Sequence, residues 1–267
     1  MALPPPRKRL GQHFLSDPAK IEEIAAAIGP SDTLVEIGPG RGALTLPLAG
    51  QTRHLIAVEK DPVLAEYLEH QFADNPGVTI RCADALHEDL SAYPKGLRLA
   101  GNLPYNVATA LLQRWMELRT HLADLTVMVQ REVAQRLAAP PGDSSRGQLS
   151  VAVQLLMQVE QLLDVEPECF EPPPQVVSTV VRLLPKESLP IREEERTDFM
   201  RLVWQAFASR RKTLRNNLPE IPDSVWAETE IDSGRRAEAL LNEEFVRLFQ
   251  AIREKGQAAA PPAEASP

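Results

Sequence analysis

Four short apolar runs, at 33–37, 55–58, 78–82 and 97–100, each lead within two residues into a glycine, a carboxylate or an amide. Stretches with helical spacing separate or follow them, beginning near Ala43, after Asp61-Pro62 and from Val107. Parallel strands need crossover connections, and helices are the usual ones, so this alternation constrains the chain to an open, mostly parallel sheet over its first 185 or so residues. A fifth strand is expected at 125–129, and helices at 131–138 and 149–157. Runs at 159–165 and 176–184 close the pattern as an antiparallel edge hairpin. Asp17-Pro18 marks the start of an earlier helix, an acceptor at the N-cap ahead of a proline that has no N–H to lose.

The strand ends carry the chemistry. Val35-Glu36-Ile37 runs into Gly38-Pro39-Gly40-Arg41-Gly42 and then a helix. Glycines there let a ligand approach the backbone, and the helix start offers free N–H groups, which makes Gly38 and Gly40 cofactor candidates. The spacing is Gly-x-Gly-x-Gly with Glu36 two residues ahead, a departure from the dinucleotide pattern Gly-x-Gly-x-x-Gly. It favours a nucleoside bearing an amino-acid tail over a pyrophosphate. Glu59 ends the next strand, roughly twenty residues on, where a carboxylate accepts from ribose hydroxyls. Asp84 ends the third between Ala83 and Ala85, which leave room for a flat ring whose amine Asp84 accepts.

The fourth strand ends in Gly101-Asn102-Leu103-Pro104-Tyr105. An amide acceptor, a rigid turn and an aromatic ring suit an exocyclic amine on a planar base; an Asn turn with a core Tyr is the ordinary alternative. Pro140-Pro141-Gly142-Asp143-Ser144-Ser145-Arg146-Gly147 reads as a flexible surface loop able to touch a large partner.

At 267 residues with 43% hydrophobic content, the chain supports one large domain and a smaller one. The boundaries expected are 1–185 for the sheet domain with its N-terminal arm, 186–255 for a helical domain, and 256–267 for a disordered tail. No run of 18 apolar residues occurs and no apolar stretch follows the basic start, so neither a membrane span nor a secretory signal is expected, and a cytoplasmic location is. Cys82 and Cys169 fit no metal-ligand spacing and read as buried small hydrophobes. A net charge of −8 argues against a nucleic-acid partner, but its distribution argues for one. Arg7-Lys8-Arg9 forms one basic island, and Arg201, Arg210, Arg211, Lys212 and Arg215 form another, with no carboxylate between Asp198 and Glu220.

Five ordered motifs, Arg9-Leu10-Gly11-Gln12-His13-Phe14-Leu15, Val35-Glu36-Ile37-Gly38-Pro39-Gly40, Asn102-Leu103-Pro104-Tyr105-Asn106, Phe170-x-Pro172-x-Pro174-x-Val176-x-Ser178 and Arg210-Arg211-Lys212-Thr213-Leu214, closely resemble the KsgA-type ribosomal RNA adenine dimethyltransferases. The resemblance implies a Rossmann-like S-adenosylmethionine-dependent methyltransferase sheet with a small all-α C-terminal domain. It also implies a substrate of two adjacent adenosines near the 3′ end of 16S ribosomal RNA, within a small ribosomal subunit or its precursor, and no metal; a monomer is expected. The family's cofactor contacts fall on His13, Leu15, Gly38, Glu59, Asp84 and Asn102. His13 stands where many relatives have Asn, which implies an altered pH sensitivity, and Gln175 replaces a frequent Lys. Asn102, with a backbone carbonyl at Leu103 or Pro104, is expected to accept the two N6–H bonds, and Tyr105 and Phe170 to sandwich the base. Arg210, Arg211, Lys212 and Arg215 are first candidates for RNA phosphates, with Arg7, Lys8 and Arg9 second. The rivals are a large-subunit ribosomal RNA adenine methyltransferase of the antibiotic-resistance type and an assembly factor acting by binding. Leu103 in place of Ile and the N-terminal arm favour the small-subunit enzyme.

Overall fold

The computed structural model describes residues 3–7, 12–105 and 107–258. Lys8, Arg9, Asn106 and 259–267, most of the expected tail, lie outside the described residues. The chain divides into two compact units, Met1–Gln135 with Leu156–Lys186 and Arg136–Leu155 with Glu187–Pro267. The expected contiguous division is thereby corrected: from within helix α5 (Arg131–Ala138), the segment 136–155 leaves the sheet between two of its strands and packs with the helical unit.

In the first unit, helix α1 (Pro18–Ile28) begins as the Asp17-Pro18 pair predicts, the Asp17 carboxylate accepting from Lys20 N at 2.9 Å. Helix α3 (Pro62–Gln71) repeats the device with Asp61 and Val63 N at 3.1 Å. Each side chain satisfies an N–H that the first turn leaves unpaired. Strands β2 (Ser31–Ile37), β3 (Thr52–Glu59), β4 (Val78–Cys82), β5 (Leu97–Asn102), β6 (Leu122–Gln130), β7 (Met157–Val165) and β9 (Ser178–Pro185) form one sheet in the order β4-β3-β2-β5-β6-β9-β7. The first five are parallel, and β9 runs antiparallel to both β6 and β7. The hairpin is therefore present, but its second strand sits inside the sheet and its first forms the edge.

Leu34, Leu55, Ala57, Leu99, Leu125 and Val127 are fully buried, because a parallel sheet buries both faces. The strand order reverses between β2 and β5, whose neighbours lie on opposite sides. Such a switch point opens a crevice at the carboxyl ends, where the acid-ended and amide-ended runs arrive. Gly101 marks the closest approach there: a Cβ on it would stand 2.1 Å from the Ile37 carbonyl oxygen. No other residue fits between these two strands.

A second, two-stranded sheet pairs β1 (Phe14–Leu15) with β8 (Phe170–Glu171), Leu15 opposite Phe170. Two-residue strands carry no periodicity, so the sequence presents them only as an arm and a loop. In the second unit, α6 (Gln148–Leu156), α7 (Arg196–Ala206), α8 (Leu214–Asn217), α9 (Asp223–Thr229) and α10 (Asn242–Ala258) bury Phe199, Val203, Leu214, Phe245 and Leu248. Helix α10 continues past the expected boundary at 255. Cys169 is half-buried and Cys82 is exposed, which corrects the expectation of two buried thiols.

Candidate active site

A cavity of about 280 Å³ opens at the carboxyl ends of β2, β3, β4 and β5. His13, Leu15, Gly38, Gly40, Glu59, Asp84 and Asn102 all line it, as do Leu103, Pro104 and Tyr105. The fold thus gathers every residue expected to hold the cofactor, together with the amide turn.

Glu59 is 6% exposed, and its two carboxylate oxygens accept from Gly40 N at 3.1 Å and Asp61 N at 2.8 Å. Those bonds fix the carboxylate while leaving it lone pairs for a ligand. Burial pushes its pKa up, against the opposing pull of the two N–H groups. Asp84 is held the other way: the Lys60 ammonium, 2.7 Å from Oδ2, keeps its carboxyl below the usual range. Its Oδ1 accepts from Leu86 N at 3.1 Å. Glu36 is 1% exposed, and burial, with the Glu59 charge adding to it, raises its pKa to about 7. Glu36 Oε2 has no hydrogen-bond partner among the described residues.

The amide of Asn102 is oriented by its Nδ2, which donates to the His13 carbonyl at 3.2 Å, so Oδ1 is the atom left for a substrate. The Pro104 carbonyl accepts from Val107 N and Ala108 N at 3.0 and 3.1 Å and thereby starts helix α4 (Ala108–Glu117). That engagement favours Leu103 as the backbone acceptor. Tyr105 shares a 2.7 Å hydrogen bond with Ser178 Oγ and stacks on His13, ring centroids 5.9 Å apart. The His13 Nδ1–H donates to the Pro172 carbonyl at 2.8 Å, which fixes the ring's tautomer.

Phe170 departs from the expected sandwich. It does not line the cavity but is 3% exposed, packed in a core cluster with Leu15, Ile24 and Val180. Pairing of β8 with β1 turns the ring inward, a consequence of a contact across the whole unit that no local pattern announces.

Sequence reasoning also missed a set of clasps on the arm. Arg41 donates through Nε and Nη2 to the Pro4 carbonyl at 3.0 and 2.9 Å, pairs with Glu171 at 3.2 Å, and lies over the Phe14 ring. Arg7, expected to meet RNA, instead pairs with buried Asp61 at 2.8 Å. Gln12 joins it there, donating to the other Asp61 oxygen at 3.3 Å. The one visible signal was an arginine inside a glycine turn.

In the second unit, Arg210 donates to the Ser144 and Arg146 carbonyls, and Arg215 pairs with Asp223 at 2.8 Å. Arg211 and Lys212 are exposed, with no side-chain partner among the described residues. The 140–147 loop is anchored, contrary to its reading as flexible: Arg146 is fully buried and donates to Ala139 O, Gln154 Oε1 and Asn242 Oδ1 at 2.8, 2.9 and 2.6 Å.

Comparison with known proteins places the chain. A family model described as ribosomal RNA adenine dimethylase matches residues 5–254. The Ribosomal RNA small subunit methyltransferase A of Saccharophagus degradans is 45% identical over 252 residues, covering 92% of this chain and 94% of its own. The protein of the same name from Chromohalobacter salexigens is 42% identical, with coverage of 93% and 92%. Among solved structures, a dimethyladenosine transferase from Plasmodium falciparum aligns with a TM-score of 0.80 at 24% identity, covering 91% of this chain and 98% of its own. The 23S rRNA methyltransferase ErmE aligns at 0.73 and 24%, covering 90% and 99%. At that identity the two structures speak to the fold alone, a mostly parallel methyltransferase sheet. The family match over nearly the full length decides more, and the chain belongs to the ribosomal RNA adenine dimethylase family.

Proposed function

We propose that this chain transfers methyl groups from S-adenosylmethionine to N6 of two adjacent adenosines near the 3′ end of 16S ribosomal RNA, giving N6,N6-dimethyladenosine during small-subunit biogenesis. The observation that carries the reading is a single cavity lined both by Glu36, Glu59 and Asp84 and by the Asn102-Leu103-Pro104-Tyr105 turn. The protein acts in the cytoplasm as a monomer, on a small subunit or its precursor. No helix among the described residues is long and apolar enough to cross a membrane.

The residues fit the donor. Glu36 Oε2, buried and unpartnered among the described residues, suits the ammonium of its amino-acid end. Gly40 leaves the backbone bare beside Phe14, where a Cβ would lie 3.0 Å from the ring. Glu59 takes the ribose hydroxyls, Asp84 the adenine amine, and Leu15 and His13 wall the cavity from the arm. When bound, S-adenosylmethionine supplies an electrophilic methyl group.

The chain's own work is on the acceptor. Adenine N6 is a poor nucleophile because its lone pair is delocalised into the ring. Asn102 Oδ1 and the Leu103 carbonyl accept the two N6–H bonds in the pyramidal geometry that localises the pair. These bonds, two in the first transfer and one in the second, strengthen as positive charge develops on N6, so they stabilise the transition state more than the ground state. Each transfer breaks one methyl–sulfur bond, leaves S-adenosylhomocysteine and gives up one N6 proton to water. Tyr105 stacks on the unstacked base and aligns N6 with the methyl carbon.

The test is to incubate the protein with labelled S-adenosylmethionine and small subunits lacking the modification, then identify the nucleosides by mass spectrometry. Labelled dimethyladenosine in 16S RNA is expected. Its absence, or label appearing only in large-subunit RNA, would overturn the reading.

A further inference from the structure

The chain has three tryptophans, and only one meets solvent: Trp115 and Trp226 are 0% and 6% exposed, Trp204 55%. Trp204 lies in the last turn of α7, whose core stripe is already filled by Phe199, Leu202, Val203 and Ala206. Packing therefore does not call for an indole at this position. An exposed ring of that size is costly to leave wet, and it offers a large flat face with little conformational freedom to lose.

Its surroundings are ordered and cationic. Gln148 Nε2 donates to the Trp204 carbonyl at 3.4 Å, and Arg210 donates to the Ser144 and Arg146 carbonyls. These bonds hold the 140–148 segment against 204–210, with buried Arg146 fixing the segment from within. The loop's own carboxylate, Asp143, is taken up by Ser145 N and Oγ at 2.7 and 2.6 Å. Beyond α7 the exposed cations Arg211 and Lys212 have no side-chain partner among the described residues. An apolar protein partner would gain nothing from two uncompensated charges in the turn that follows the ring's helix, whereas a nucleic-acid strand carries both a π-face and phosphates.

We propose that Trp204 stacks on an unpaired nucleotide of the RNA substrate while Arg211 and Lys212 take the flanking phosphates. The inference rests on the reading of the chain as an RNA-modifying enzyme, and adds a base contact outside the methyl-transfer cavity. Stacking on an aromatic face tolerates any base, so the contact fixes the strand's position and leaves sequence choice to the cavity.

Trp204 reports on itself. Because the other two tryptophans are buried, iodide-accessible emission of the intact protein comes from Trp204. Titration with an unstructured oligoribonucleotide should quench that emission and protect it from iodide. Trp204→Ala should weaken RNA affinity about tenfold with the salt dependence intact. Trp204→Phe, which keeps a ring, should stay within about threefold of the parent. Arg211→Ala with Lys212→Ala should flatten the salt dependence instead. Emission unmoved at RNA saturation, or moved only by RNA-free ribosomal proteins, would overturn the proposal, as would equal affinities of Trp204→Ala and the parent. The nucleoside assay run alongside separates the two readings: quenching without dimethyladenosine leaves the stacking contact standing and removes the proposed activity.

Discussion

The Arg41 guanidinium lies 4.4 Å above the centroid of the Phe14 ring. From that position it also reaches the Pro4 carbonyl and the Glu171 carboxylate, so one side chain from the glycine turn holds both the arm and the β8 loop. Glu171 is 70% exposed, which makes its ion pair the weak part of the clasp, and the ring contact with the paired carbonyl bonds the strong part. Arg41→Leu should lower affinity for S-adenosylhomocysteine about fivefold, roughly 1 kcal/mol, by freeing the arm. Trypsin should then cut faster in the basic run at 7–9. Unchanged affinity and unchanged proteolysis would show the arm to be held without Arg41.

Glu36 sets a pH dependence with a definite sign. Between the ordinary carboxylate value of 4.5 and about 7, the folded protein keeps a proton that the unfolded chain has released. Stability therefore falls as pH rises across that window and levels off above it. A cationic ligand group favours the carboxylate, so donor binding should release protons and tighten as pH climbs through about 7. Calorimetry in buffers of different ionisation enthalpy measures the release. Glu36→Gln should reduce both slopes, with Glu59, also raised by burial, supplying what remains.

The acceptor role proposed for Asn102, which is also among the expected cofactor contacts, can be separated from donor binding. Asn102→Ala should slow single-turnover methyl transfer about a hundredfold, the scale of removing one oriented hydrogen-bonding group from a transition state. Cofactor affinity should change less than about threefold. Equal losses in both would move Asn102 to the cofactor side.

The approach of β5 to β2 predicts a sharp contrast between two glycines. Gly101→Ala would drive a Cβ into the Ile37 carbonyl, so unfolding should be easier by about 3 kcal/mol or more, a fall in Tm of roughly 6–12 °C. Gly50, near the end of helix α2 (Thr45–Gln51), has open space where a Cβ would go, with no atom within 4 Å, and Gly50→Ala should be neutral or stabilising. Thermal melts of the two variants decide it.

Strand ends and helix starts were legible because they are written locally. Glu59 and Asp84 stand where an apolar run stops, and Asp17-Pro18 and Asp61-Pro62 each announce a helix within two residues. What escaped depends on partners distant in sequence. Phe170 is turned into the core by Leu15, and Arg7 is claimed by Asp61. The carboxylate-free window around Arg215 is closed by Asp223, just beyond its edge, while Arg210 is spent on the 140s loop. Charge counted along the chain therefore overstated the free cations and missed exposed Trp204 on the helix that precedes the two that remain.

The β1–β8 ladder also orders events in time. Phe14 faces Glu171, and the backbone N–H groups of Ser16 and Asp17 reach the Cys169 carbonyl. The parallel strands β2 to β6 can assemble step by step as a ribosome releases them, each beside one already made. Arg41, Asp61 and Asn102 can hold the arm earlier, but the backbone of Phe14 and Leu15 has no strand to pair with until Cys169 to Pro172 have emerged, some 155 residues after it. A nascent chain thus acquires its parallel strands early and the ladder that pins its arm late, and a fragment ending before that point would carry Glu59, Asp84 and Asn102 yet lack the strand that holds the arm against the cavity.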